Sequence, residues 1–267
     1  MKTMLKRKLY QAGLLSYLLF IAVKNSAQET TPLSDTSFIQ TDTVSAEPVL
    51  SNAPVISLNK KAAAFVKTYL KEYNSTLVLA KKRSESYFAT MDAVLTRYNL
   101  PVELKYMAVV ESNLKTTARS HVGALGIWQL MPLTAKSLGL KRKKNYDERY
   151  NVYKSTVAAA RYMRDLHAEF EDWLLAIAAY NAGSGAVNRA IRKSGSRDFW
   201  KLQSFLPGET RNYVKKYIGA HYYFEGQGSL TTLTKAETQK HNKVIEEFTA
   251  SQPVVVIESM NDVADER

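Results

Sequence analysis

One carboxylate stands where the residue pattern calls for a hydrocarbon. Over 101–113, Leu104, Met107 and Ala108 fall at the i, i+3 and i+4 spacing of a buried helical stripe, and the next position, i+7, is Glu111. It follows directly on Ala108-Val109-Val110. An ionised carboxylate is costly to bury without a partner. Dehydration and the negative partial charge of a helix C-terminus both favour its protonated form. A carboxyl that keeps its proton near neutral pH is what general acid catalysis requires. The structural alternative is a buried glutamate paired with an arginine or a backbone group.

Three further segments carry side chains suited to a cleft. The run 119–132 contains Gly123 and Gly126 for tight turns, Ser120 and Gln129 as donors and acceptors for hydroxyl and amide groups, and Trp128 and Met131 for apolar contact. Trp128 reads equally well as core. Tyr180 and Asn181 lie at the end of an apolar run, where polar tips can meet a cleft, or where Asn181 can cap a helix above a core tyrosine. Glu209-Thr210-Arg211-Asn212-Tyr213-Val214 opens another helix. There Glu209 and Thr210 suit the N-terminus, Arg211 is a partner for a buried carboxylate, and Tyr213 is a second cleft phenol.

Helices must position these groups. Apolar spacing predicts helices through Phe65–Tyr73 and Tyr87–Tyr98, and Pro101 and Pro132 each suit the first turn of another. A longer helix carries Ala159, Tyr162, Met163, Leu166 and Phe170. Trp173 to Ala182 is almost wholly apolar, which predicts a central buried helix stopped by Gly183. Further helices fit 184–193, 198–204 and 209–225. No alternating strand is evident in 60–228, and 253–257 reads as a short strand in an acidic tail. The expectation is one mainly α domain at 59–228, with flexible extensions on either side and no role assigned to 229–267.

Charge and composition narrow the partners. The chain of 267 residues has a formal charge of +12 and no cysteine. Residues 1–27 carry +5, 28–58 carry −4 and 244–267 carry −5, which leaves +16 on 59–243. Such a basic body attracts anionic partners: nucleic acid, anionic membrane or anionic wall polymer. Lys2, Lys6, Arg7 and Lys8 precede an uncharged stretch from Ala12 to Val23 and then Asn25-Ser26-Ala27, the layout of an export signal cleaved near Ala27. Residues 28–58, rich in Thr, Ser, Pro and acids, read as a disordered linker. Without cysteine there is no disulfide, thiolate-held metal, thiol nucleophile or lipid-modified cysteine. His121, His167, His221 and His241 are scattered and form no ligand cluster in sequence.

The four segments Pro101–Asn113, Gly126–Pro132, Ala179–Gly183 and Glu209–Val214, in this order and spacing, resemble the catalytic domain of the lysozyme-like soluble lytic transglycosylases, most closely those of the membrane-bound lytic murein transglycosylase D kind. The resemblance covers about 60–225. It implies the goose-type lysozyme/soluble lytic transglycosylase helical fold, with Glu111 as the sole catalytic acid/base. It also implies that Ser120, Gln129, Met131, Tyr180, Asn181 and Tyr213 line the glycan cleft. The implied reaction cuts the bond between N-acetylmuramic acid and N-acetylglucosamine without water and leaves a 1,6-anhydromuramyl end. No metal or cofactor is implied, and the partner is peptidoglycan rather than nucleic acid.

Some features depart from the family. Ser184 stands where many relatives have proline, Asn151-Val152 replaces an acidic-Pro pair, and no LysM repeat is present. The implied location is the periplasm, with peripheral envelope association and no lipid anchor. Asp147 and Glu148, set among Lys141–Lys144 and Arg149, read as surface ion pairs. A hydrolytic muramidase and a catalytically silent wall-binding module are the alternatives.

Overall fold

A computed structural model describes residues 53–252. The expected signal at 1–27, most of the linker at 28–58 and the strand at 253–257 lie outside the described residues. Eleven α-helices are present among those described. They are α1 (Lys60–Glu72), α2 (Asn74–Ser84), α3 (Phe88–Arg97), α4 (Tyr106–Ser112), α5 (Pro132–Ser137), α6 (Val152–Phe170), α7 (Trp173–Ala182), α8 (Ser184–Ser194), α9 (Phe199–Leu202), α10 (Gly208–Glu225) and α11 (Lys235–Ser251). No helix among the described residues is long and apolar enough to cross a membrane.

The apolar helix α7 is the centre of the body. Leu174 through Ala179 are all buried, and each large aliphatic side chain among them contributes about 1.5–3 kcal/mol by leaving water. Asp172 starts the helix by accepting the Leu175 amide at 3.0 Å, and Gly183, with φ 77°, ends it. The long helix α6 packs along α7 and against α3, while α8 and α10 pack on other sides of α7. Its cap is Asn151, whose side chain accepts the Lys154 amide at 2.9 Å, so the residue replacing an acid there still caps the helix. Ser184, at the proline position, starts α8 and donates to Glu169 of α6 at 2.7 Å. Helix α10 lies on α1 so closely that a Cβ at Gly219 would run into the Tyr69 ring.

Four differences from expectation have local causes. The predicted helix over 101–113 is split: Val102–Lys105 is a 3₁₀ turn, and α4 begins at Tyr106. A two-residue hairpin, β1 (Arg142–Lys143) with β2 (Tyr146–Asp147), carries part of the basic run. Its strands are too short and exposed to alternate. Within the expected extension beyond 228, residues 229–234 belong to the packed body. Thr231, Thr232 and Leu233 are buried, and a hydroxyl chain links Tyr217 to Thr231 (2.6 Å), Thr231 to Ser229 (2.8 Å) and Ser229 to the buried His221 (2.8 Å). Thr234 and Glu237 then form a capping box that starts α11, and the Lys235 amide donates to Asp172 at 2.6 Å. At the other end, Leu58 of the expected linker packs against the core.

Candidate active site

Glu111 is the penultimate residue of α4. The helix stops on two consecutive left-handed residues, Asn113 (φ 51°) and Leu114 (φ 60°). Such backbone in a leucine is strained and concentrates at functional positions. Leu114 is buried, so its side chain anchors the turn that leaves Glu111 at the rim of the core. Part of Glu111 remains accessible, while the surrounding protein dehydrates its carboxyl. Dehydration raises its pKa from 4.5 to about 8. A hydrogen bond from Tyr213 works in the opposite direction, and the Glu209 carboxylate adds to the rise.

Tyr213 comes from the second turn of α10 and donates its hydroxyl to Glu111 Oε1 at 2.7 Å. Tyr180, near the end of α7, is within electrostatic reach of both groups. The buried setting and the Glu111 charge hold both phenols well above the usual tyrosine range. Neither phenol therefore ionises at neutral pH, and Tyr213 acts toward Glu111 as a hydrogen-bond donor.

The loop from Ala118 to Met131 is held by side chains that take its carbonyls in turn. Gln129 Nε2 donates to Gly126 O at 2.8 Å and to Ala118 O at 3.1 Å. Ser112, next to Glu111, donates to Ile127 O at 2.8 Å. Tyr180 donates to Trp128 O at 2.9 Å, and Arg149 donates to Leu130 O at 3.0 Å. Buried carbonyls left unpaired are costly, so each bond fixes the local path. Glu111 and the loop thus share one framework through Ser112.

The expected site residues divide into three groups. Glu111, Tyr213 and Tyr180 converge. Gln129, at φ 45°, spends its amide protons inside the loop. Ser120 Oγ accepts the Ala124 amide at 2.9 Å and retains its hydroxyl proton for donation. Met131 is 41% exposed beside this loop and is free to make surface contact. Asn181 is partly buried and accepts a hydrogen bond from Thr210 at 2.7 Å, tying the end of α7 to the start of α10. It does not cap α7, since Gly183 does.

Trp128 is core: it is 1% exposed and its Nε1 donates to Thr156 at 2.9 Å. Arg211 forms no ion pair with any carboxylate among the described residues, so the buried-carboxylate pairing expected for it is not made. Glu148 and Arg149 are buried rather than on the surface. Lys154 and the Lys141 amide hold Glu148 as a carboxylate, and Arg149 holds Asp147, so both acids sit below their usual range. Ser112 and Arg149 are the residues that sequence reasoning missed, and Thr210, expected at the start of its helix, also bonds Asn181. Only Ser112, adjacent to Glu111, carried a positional signal. Among the described residues no group of three or more His, Asp or Glu could hold a metal ion.

The helical body has the lysozyme-like fold, and it carries a dehydrated glutamate at the end of a short helix, faced by phenols from two others. The 70-kDa soluble lytic transglycosylase in complex with bulgecin A has the same fold. It aligns with 68% of this chain and 33% of its own, at a TM-score of 0.51 and 21% identity. Residues 89–203 match the family model of the transglycosylase SLT domain. It is 42% identical over 141 residues to membrane-bound lytic murein transglycosylase D of Escherichia coli (strain K12), covering 51% of this chain and 31% of that protein. It is 43% identical over 110 residues to a putative tributyltin chloride resistance protein of Alteromonas sp. (strain M-1), covering 41% of this chain and 53% of that one. The match therefore spans less than a third of the Escherichia coli relative and about half of the Alteromonas one.

Proposed function

We propose that this chain is a peptidoglycan lytic transglycosylase with Glu111 as its single acid/base. The observation that carries the reading is the carboxyl at the end of α4, dehydrated to a pKa of about 8 yet still reachable from solvent. At neutral pH it is mostly protonated, so it can give its proton to the glycosidic oxygen between N-acetylmuramic acid and N-acetylglucosamine. Tyr213 occupies Oε1, which leaves Oε2 to carry the proton toward the substrate. After the proton leaves, the same phenol stabilises the carboxylate. That carboxylate then removes the proton from the muramyl C6 hydroxyl as its oxygen closes on C1. The C1–O bond to N-acetylglucosamine breaks, a 1,6-anhydro ring forms, and no water is consumed. Ser120, Gln129, Met131, Tyr180 and Asn181 line the cleft in this reading, with Ser120 donating to the sugar and Met131 giving apolar contact.

Ordinary glycosidases use two carboxylates. Asp147 and Glu148 are committed to Arg149, Lys154 and the Lys141 amide. Glu209 is the other acid that acts electrostatically on Glu111, and it lies exposed in the first turn of α10. If it activates water, the enzyme is a hydrolytic muramidase, and its products carry reducing ends. Export through 1–27 and residence in the periplasm, against the wall, complete the proposal. Its test is Glu111→Gln on purified sacculi: the variant folds as the wild type does and releases no muropeptides. An active Glu111→Gln would end the assignment.

A further inference from the structure

Arg149 lies far from Glu111 in sequence, yet it fastens the loop that carries three of the cleft residues. Its side chain is almost wholly buried, 3% exposed for the residue, in a segment whose neighbours Lys141–Lys144 are solvated. Nη1 donates to Gly123 O at 2.9 Å and to Leu130 O at 3.0 Å, one carbonyl on each limb of the loop. Nε and Nη2 donate to the two oxygens of Asp147 at 3.0 and 2.7 Å, which fixes the plane of the guanidinium. The backbone of the same residue makes a second fastening. Its carbonyl oxygen packs on Gly126, where a Cβ would collide with it and where φ is 79°. Between these fastenings run Leu125 and Leu130, whose amides and carbonyls pair with each other at 3.2 Å.

We propose that Arg149 is a positioning residue for the cleft: it sets the distance between the loop bearing Ser120, Gln129 and Met131 and the carboxyl of Glu111. The inference rests on the transglycosylase reading of that cleft. The geometry demands a fork. One nitrogen serves two carbonyls while the other two face a carboxylate, an arrangement that a lysine ammonium cannot reproduce. Ser112, from the Glu111 helix, donates to Ile127 O, which lies in sequence between the two carbonyls that Arg149 holds. The loop is therefore held both by the Glu111 helix, through Ser112, and by Arg149. Loss of one clamp lets the loop shift relative to Glu111 with the helical core unchanged. Misplacement on the order of 1 Å at a reacting centre costs up to about 100-fold in rate.

The test compares the full chain with Arg149→Lys and Asp147→Asn. It reads steady-state muropeptide release from sacculi, the melting transition and amide hydrogen exchange by segment. Arg149→Lys is expected to lower kcat by about 10- to 100-fold with a smaller change in KM. Exchange should quicken in 123–130, while α4 and α7 stay protected. Asp147→Asn keeps the arginine but loosens its plane; it should quicken the same segment and lower kcat less, and it carries the test if Arg149→Lys does not fold. Unchanged kcat with unchanged loop exchange overturns the proposal. So does exchange quickened throughout the molecule with kcat per folded molecule intact, because that is a purely structural role. If the wild type releases nothing from sacculi, the proposed function fails, and the exchange of 123–130 still decides whether Arg149 holds the loop.

Discussion

Replacing Tyr213 with phenylalanine removes one hydrogen bond and nothing else from the neighbourhood of Glu111. The ring is buried, and phenylalanine fills the same space. The lost bond is a 2.7 Å contact from a neutral phenol to a dehydrated carboxylate. Bonds of that kind to a charged group contribute about 1.5–3 kcal/mol net. At 1.36 kcal/mol per pKa unit, the Glu111 pKa should rise by roughly one to two units from its value of about 8. The direction is fixed by sign: the phenol favours the ionised form, so its removal favours the protonated one. In the proposed mechanism catalysis begins from the protonated acid, so wild-type activity should fall as pH rises through about 8. In Tyr213→Phe that limb should move upward by the same one to two units. At neutral pH the variant is a weaker acid, and a Brønsted dependence near one half puts the loss in kcat at roughly three- to tenfold. The assay is the pH–rate profile of soluble muropeptide release from sacculi. A basic limb that stays put or moves down in the variant would refute the argument.

Other outcomes follow from the same structure. Thr156→Val leaves the buried Trp128 Nε1 without an acceptor and should cost about 1–3 kcal/mol in chemical denaturation, with unchanged product identity. Asp172→Ala removes both the α7 cap and the acceptor of the Lys235 amide; it should cost about 1–2 kcal/mol, and limited proteolysis should cut near 229–235 sooner. The His221 pKa is pushed down to about 4, chiefly by dehydration. The unfolded chain therefore binds the extra proton first, and stability is lost as pH falls from about 6.5 toward 4. The urea midpoint should drop over that window in the wild type and drop less in His221→Gln.

Much of this site was legible because it obeys periodicity or breaks it visibly. Glu111 announced itself as a carboxyl in an apolar stripe, and Tyr213 as an aromatic on a helix beginning at a clear acidic turn. The limits of α7 followed from its run of apolar residues and from Gly183. What escaped depends on partners distant in sequence. Arg149 sits in a basic stretch, and nothing local distinguishes a guanidinium that dives under a loop from one that stays in water. Residues 231–234 are buried, and Ser229 and Thr231 tie the segment to His221 and Tyr217 through hydroxyl contacts that leave no hydrophobic pattern. Gln129 adopts a left-handed backbone with no glycine to signal it, because its own side chain bonds hold it there. The split of the 101–113 helix was hidden for a different reason: a 3₁₀ turn and an α-helix place their first apolar residues on nearly the same face.

The central claim is that one carboxyl, Glu111, cuts the glycan by making the substrate's own C6 hydroxyl the nucleophile. Mass spectrometry of the muropeptides released from purified sacculi by the wild type, beside Glu111→Gln, tests it most directly. The account predicts muramyl ends lighter by one water than hydrolytic ends from the wild type, and no products from the variant. Reducing muramyl ends from the wild type, or cleavage by Glu111→Gln, would contradict it.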